Sequence, residues 1–96
     1  MSAGLQQTAG NLAVSGDMTL ETAAALLAAG KTAMAGAEPV FDLTAVAEID
    51  SSGLAVLFGW QRVAQAQGKT LRIVNPPHNL LSLAEVYGVG DLLPLS

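Results

Sequence analysis

Two strand-like segments bracket one long helix in the middle of the chain, and that pattern narrows the fold more than any other feature of the sequence. Pro39 opens an apolar run, Val40-Phe-Asp-Leu, and Thr44 to Asp50 reads as a connection. A helix then begins at Ser51 or Ser52 and continues to about Gln67, with Gly68 standing where a C′ residue belongs. Thr70-Leu-Arg-Ile-Val reads as the next strand, ended by Asn75-Pro76-Pro77. Strand, helix and strand in that order require a crossover, which sets the two strands parallel in one sheet. The apolar residues of Val40–Leu43 do not strictly alternate, as expected of a central strand covered on both faces.

The flanking segments complete the pattern. Leu5-Gln-Gln-Thr and Leu12-Ala-Val-Ser read as short strands joined by a turn at Ala9-Gly10-Asn11, with Gly16-Asp17 ending the second. Thr19 reads as an N-cap with Glu21 in the first helical turn, and Leu20, Ala23, Ala24 and Leu27 fall on one helical face. Gly30 or Gly36 stops that helix. A short helix from Asn79 to about Tyr87 carries Leu80, Leu83, Ala84 and Tyr87 on one face and closes at Gly88. Leu92-Leu93 reads as a short edge strand. The order β-β-α-β-α-β-α-β predicts a single α/β domain over residues 1–96: a small mixed sheet with helices, its one antiparallel member supplied by the opening hairpin.

Composition removes several function classes. A 96-residue chain buries only about 60–65% of its unfolded surface, enough for one modest core. There is no cysteine, so a disulfide framework, a thiolate metal site and a cysteine nucleophile are excluded. One histidine is too few for a protein-only zinc site. Eight acidic against four basic residues give a net charge of −4, and the four cations form no run, so nucleic acid is a poor partner. No phosphate-cradling glycine loop is present, and no cofactor is expected. The first residues lack a basic start and an apolar run, and no uncharged stretch approaches the roughly 20 residues of a membrane span. The chain reads as cytoplasmic.

Glu48-Ile-Asp-Ser-Ser-Gly-Leu is the one segment with chemistry in it. It delivers Asp50, Ser51 and Ser52 to the start of the strongest helix, where backbone N–H groups and the helix dipole favour negative charge. A phosphate on Ser51 would be well placed there, and Asp50 beside it would oppose the added charge, making Ser51 a candidate phosphorylation switch. Gly53 lets another backbone come near. The same residues serve equally as a plain N-cap. Asp42, Glu48 and Asp50 have no base, nucleophile or cofactor motif nearby and read as solvated loop acids; His78 reads as a solvated residue at a helix start.

The central helix is unusually apolar around its circumference. Leu54, Leu57, Phe58 and Ala64 fall in one sector, and Val56, Trp60 and Val63 in a neighbouring one. The combined arc is roughly 220°, against the 100° or so of an ordinary surface helix. The 51% of apolar residues and the mean hydropathy of +0.46 have two readings, an alanine-rich background or apolar surface that a partner covers. Periodicity does not decide which sector faces the core.

Asp50-Ser51-Ser52-Gly53-Leu54 after an apolar strand, followed by a long helix, resembles the signature of STAS domains, as does the order of elements from about Leu5 to Leu95. Leu12-Ala-Val-Ser-Gly-Asp-Met-Thr-Leu-Glu-Thr-Ala is similar to the first block of the MlaB-like STAS subunits, and Asn79-Leu-Leu-Ser-Leu-Ala-Glu-Val-Tyr-Gly-Val to their last helix. This resemblance implies a non-catalytic cytoplasmic subunit. It would bind an MlaF-like ATPase of an ABC transporter that moves phospholipid to maintain outer-membrane lipid asymmetry, peripheral to the inner membrane through that partner. The pair Ser51-Ser52 resembles instead the anti-sigma-factor antagonists, which a serine kinase phosphorylates at the first serine; Gly16-Asp17-Met18-Thr19 departs from their Gly-Glu-Leu-Asp turn. The STAS resemblance implies that Leu54, Leu57 and Ala64 face the sheet and that Val56, Trp60 and Val63 turn outward. The expected partner surface is therefore Asp50, Ser51, Ser52, Gly53, Val56, Trp60 and Val63.

Overall fold

The computed structural model describes residues 3–8 and 10–95. It contains β1 (Ala3–Thr8), β2 (Asn11–Met18), α1 (Ala23–Met34), β3 (Val40–Ile49), α2 (Ser51–Ala66), β4 (Arg72–Val74), α3 (His78–Val86) and a closing 3-10 turn over Gly90–Leu92. The sheet order is β1-β2-β3-β4. β1 and β2 form the antiparallel hairpin, from Ala3 opposite Gly16 to Thr8 opposite Asn11. Gly10 takes a positive φ in the connecting turn; Ala9 of the expected turn lies outside the described residues. β2, β3 and β4 run parallel.

Both crossovers step across the sheet in the same direction, so right-handed connections place α1 and α2 on the same face. The two helices pack against each other there. The other face is open. Along β3 the buried residues are Phe41, Leu43, Val46 and Ile49, while Thr44, Ala45, Ala47 and Glu48 are exposed. This corrects the expectation of a strand covered on both faces. It also extends the strand through the residues read as a connection. The reason is visible in the register: Ala13 and Ser15 of β2 pair with Asp42 and Ala45, and Gly16 and Met18 with Val46 and Ile49. Each interval holds one extra residue on β3, and such bulges turn a spacing of two into a spacing of three. β2 likewise runs past Gly16-Asp17 to Met18.

α1 begins later than expected. Thr19 is not its cap; Thr19 to Thr22 form a turn, closed by Thr22 N–H on the Thr19 carbonyl (3.0 Å). The Thr22 hydroxyl accepts from Thr19 N–H and donates to the Asp17 carbonyl at 2.7 Å. Leu20 is left in the turn, 74% exposed. The buried stripe is Leu26, Gly30 and Met34 rather than Leu20, Ala23, Ala24 and Leu27. Gly30 does not stop the helix; it faces the core.

The wide apolar arc of α2 is consumed internally. α2 packs on β2, β3, α1 and α3. Leu57 and Ala64 are fully buried, as expected, but so are Val56 (3% exposed) and Trp60 (0%), and Val63 is half-buried. Trp60 stacks on Phe41 with ring centroids 4.1 Å apart, and its indole N–H donates to the Leu26 carbonyl at 3.2 Å. A side chain at Gly30 would stand inside the indole ring, so the glycine is what lets the ring lie against α1. The outward placement of Val56, Trp60 and Val63 is therefore corrected: two helices side by side cover more of α2 than a sheet alone.

Both later helices end as expected, in paired hydrogen bonds. In α2, Gly68 N–H reaches the Gln65 carbonyl and Lys69 N–H the Ala64 carbonyl; in α3, Gly88 reaches Glu85 and Val89 reaches Ala84. The expected edge strand at Leu92-Leu93 is instead a 3-10 turn, and Leu95 adds a single parallel bridge to Ile73.

Candidate docking site at the tip of α2

Asp50 leaves β3 in an extended conformation and caps α2. One carboxylate oxygen, Oδ1, accepts from the N–H groups of Ser52 (2.8 Å) and Gly53 (3.3 Å). The other, Oδ2, accepts from Leu20 N–H at 3.3 Å, and Asp50 N–H donates to the Met18 carbonyl at 3.2 Å. One side chain thus ties the helix tip to the turn after β2. A Cβ at Gly53 would collide with the Met18 carbonyl and with Ile49, so glycine is required for the tip to seat there.

The consequence for an anion is direct. Of the first-turn amides expected to face outward, those of Ser52 and Gly53 are already used by Asp50, and Leu54 N–H is bonded to the Asp50 carbonyl at 3.1 Å. The tip is a filled cap carrying a presented hydroxyl: Ser51 is exposed, and its Oγ has no hydrogen-bond partner among the described residues.

Beside Ser51 lies a shallow groove of about 300 Å³ between α2 and the end of α3, floored by Leu54, Ala55 and Phe58 and walled by Tyr87 and Val89. Tyr87 is 55% exposed and its neighbour Val86 80%. Sequence reading had placed Tyr87 on the core face of α3. The helix stops at Val86, however, and Tyr87, its C-cap, stands largely in solvent at the groove rather than in the core. Asp50, Ser51, Ser52 and Gly53 come together as expected. Ala55, Phe58, Tyr87 and Val89 join them and were missed; Gly88, which marks the helix end, was the available signal for Tyr87.

The other acids form no site. Asp42 accepts from the Thr44 hydroxyl and N–H and from the Asn75 amide, and these bonds, the Thr44 hydroxyl foremost, hold its carboxyl below the usual aspartate value. It sits eight residues before Asp50, roughly 25 Å away along the strand. Asp42 is in β3 rather than a loop, and Glu48 is an exposed strand residue. His78, the first residue of α3, is exposed. Among the described residues no group of His, Asp and Glu is placed to hold a metal ion, and no helix is long and apolar enough to cross a membrane.

A four-stranded sheet with helices on one face, a capped and hydroxylated helix tip and a neighbouring apolar groove define a small α/β domain of the STAS type. The chain belongs to the STAS_2 family, the MlaB-type STAS domains, whose family model matches residues 1–94. It is 41% identical over 51 residues to the intermembrane phospholipid transport system binding protein MlaB of Haemophilus influenzae, a match covering 53% of this chain and 49% of that protein. The chain therefore aligns with about half the length of this curated relative. Among solved structures it is similar to the unphosphorylated anti-sigma factor antagonist SpoIIAA (TM-score 0.67, 18% identity, 99% of this chain and 87% of that one). It is also similar to an anti-sigma factor antagonist from Mycobacterium paratuberculosis (TM-score 0.72, 24% identity, 98% and 83%). At these identities the likeness is one of fold.

Proposed function

We propose that this chain is a non-catalytic subunit of an ABC transporter that moves phospholipids to maintain outer-membrane lipid asymmetry, and that it docks on the transporter's ATPase from the cytoplasmic side. ATP hydrolysis belongs to the partner; this subunit steadies and regulates the working assembly, and it reaches the inner membrane only through that partner. A transporter with two ATPase subunits would take two copies. The family and the likeness to a phospholipid transport protein support the reading. The observation that carries it is the α2 tip: an exposed Ser51, locked in position by Asp50, at the lip of an apolar groove ending in Tyr87.

A charge introduced at this lip stands beside the Asp50 carboxylate, which already holds the N–H groups of Ser52 and Gly53. Ser51→Asp is expected to weaken binding to the purified ATPase subunit by tenfold or more and to lower lipid transport in cells, with the thermal midpoint unchanged. Full affinity and transport in that variant would remove Ser51 from the interface. The alternative, an anti-sigma antagonist released by phosphorylation of Ser51, places a second charge beside Asp50; it predicts a phosphorylated Ser51 in cells and loss of switching in Ser51→Ala. The family and the likeness to a phospholipid transport protein favour the transporter reading.

A further inference from the structure

A second groove runs along the opposite flank of α2, between it and α1. Gly59 lines it: a Cβ there would stand 2.7 Å from Leu27 Cδ1, so the missing side chain lets Leu27 of α1 pack directly against α2. Leu27 and Val63 give it apolar walls, and Lys31 and Arg62 rim it; its volume is about 460 Å³. The Arg62 guanidinium leans back over the hollow, with Nη2 3.7 Å from where a Gly59 Cβ would stand.

Charge makes this groove distinctive. The chain has eight acidic residues and four basic ones, and two of the four basic residues stand here. None of the eight carboxylates lines it. Lys69, by contrast, is committed to the end of α1, its Nζ donating to the carbonyls of Met34 (3.0 Å) and Ala37 (3.4 Å). Lys31 and Arg62 are exposed and make no ion pair or hydrogen bond with another described residue. A basic rim over an apolar floor, on an otherwise acidic protein, complements a segment carrying carboxylates among apolar side chains. A lipid surface fits less well, because anchoring on an anionic bilayer takes roughly four to eight clustered cations and the net charge of −4 opposes it.

A third hollow, lined by Leu27, Ser52, Ala55 and Arg62 among others, joins this groove to the tip. From Ser52 to Ala66 the flank extends roughly 20 Å at 1.5 Å per residue, about the length of a four-turn helix.

We propose that the α1–α2 groove is a second docking site, taking an acidic amphipathic helix of the same partner, with Lys31 and Arg62 pairing its carboxylates. The proposal rests on the ATPase reading above. Its test uses the purified complex of this chain with the transporter's ATPase subunit. Lys31→Glu/Arg62→Glu is expected to weaken binding by tenfold or more and to flatten its dependence on salt. A zero-length carbodiimide cross-link is expected between Lys31 and an Asp or Glu of a helical segment of the partner, absent in Lys31→Arg. Lys31→Gln/Arg62→Gln replaces the double reversal should that variant fail to fold. If the wild-type complex forms but the double variant binds within twofold of it, with or without a cross-link, the groove proposal is overturned while the functional reading stands. If no complex forms with the wild-type chain, both fall. Co-sedimentation with phosphatidylglycerol–phosphatidylethanolamine vesicles, lost in the double variant while ATPase affinity is kept, would also overturn it and assign the cations to lipid.

Discussion

At the scale of single residues, two glycines and one aspartate determine how the helices sit. Gly30→Ala sets two effects against each other. Alanine favours the helix by about 1 kcal/mol, while inserting a methyl into a packed core costs roughly 1–3 kcal/mol and occasionally more. Here the methyl would land on a stacked, hydrogen-bonded indole that has nowhere to move, so overpacking wins and the urea midpoint falls. Gly36→Ala, where a Cβ meets nothing within 4 Å, is the control and leaves the midpoint unchanged or slightly raised. Asp50→Ala removes the α2 cap, a loss of about 0.5–2 kcal/mol, whereas Asp50→Asn keeps most of it. Asp42 makes the fold sensitive to acid. Its folded pKa is depressed, chiefly by the Thr44 hydroxyl. Its contribution is therefore complete above the ordinary aspartate value and disappears as pH falls through the lower folded one. Thr44→Val should flatten that acid limb in urea titrations repeated at descending pH; an unchanged limb would mean the hydroxyl does not matter.

At the scale of elements, what could be read in the sequence was governed by how regular each element is. α2 was legible almost to the residue because its cap, its apolar density and Gly68 agree. The parallel arrangement followed from β-α-β order alone. β3 was cut short because its bulges break the period of two after Leu43, and a bulge is a property of a strand pair that one strand cannot show. α1 was shifted because Thr19 and Thr22 offer similar caps, and which one ends in the helix depends on a bond from the Thr22 hydroxyl to Asp17, a contact to the preceding strand. The site was legible at Asp50–Gly53, where chemistry and position coincide in consecutive residues, and illegible at Tyr87, which reaches it from another helix. Trp60 was misplaced for a related reason: an arc too wide for a sheet points either to a partner or to a second helix, and the sequence of α2 alone does not distinguish them. The correction has an optical consequence. Trp60 emission in the free chain should already be that of a buried indole, and it should not shift when the ATPase subunit binds. A red, solvent-like emission moving blue on binding would contradict the packing described here.

At the scale of the whole molecule, separating core from surface is what makes the docking proposal testable. Trp60 and Tyr87 are both large aromatics that sequence patterning places on apolar helical faces, yet one is sealed against Phe41 and α1 and the other stands half in solvent at the groove beside Ser51. Truncating a buried Trp costs about 3–5 kcal/mol, a large share of the roughly 5–15 kcal/mol that holds a domain together. Trp60→Ala should therefore lose its partner because it loses its fold, and thermal melting and affinity should fall together. Tyr87→Ala removes a side chain with little to pack on. Its stability should stay within about 0.5 kcal/mol of wild type. If Tyr87 anchors the partner, affinity should nonetheless drop by tenfold or more, since exposed aromatics at the centre of an interface carry a disproportionate share of binding energy. The informative result is the split between the two readouts. Unchanged melting with lost binding places the interface at the junction of α2 and α3. Unchanged melting with unchanged binding moves it elsewhere on the molecule and leaves the Ser51 lip without a role.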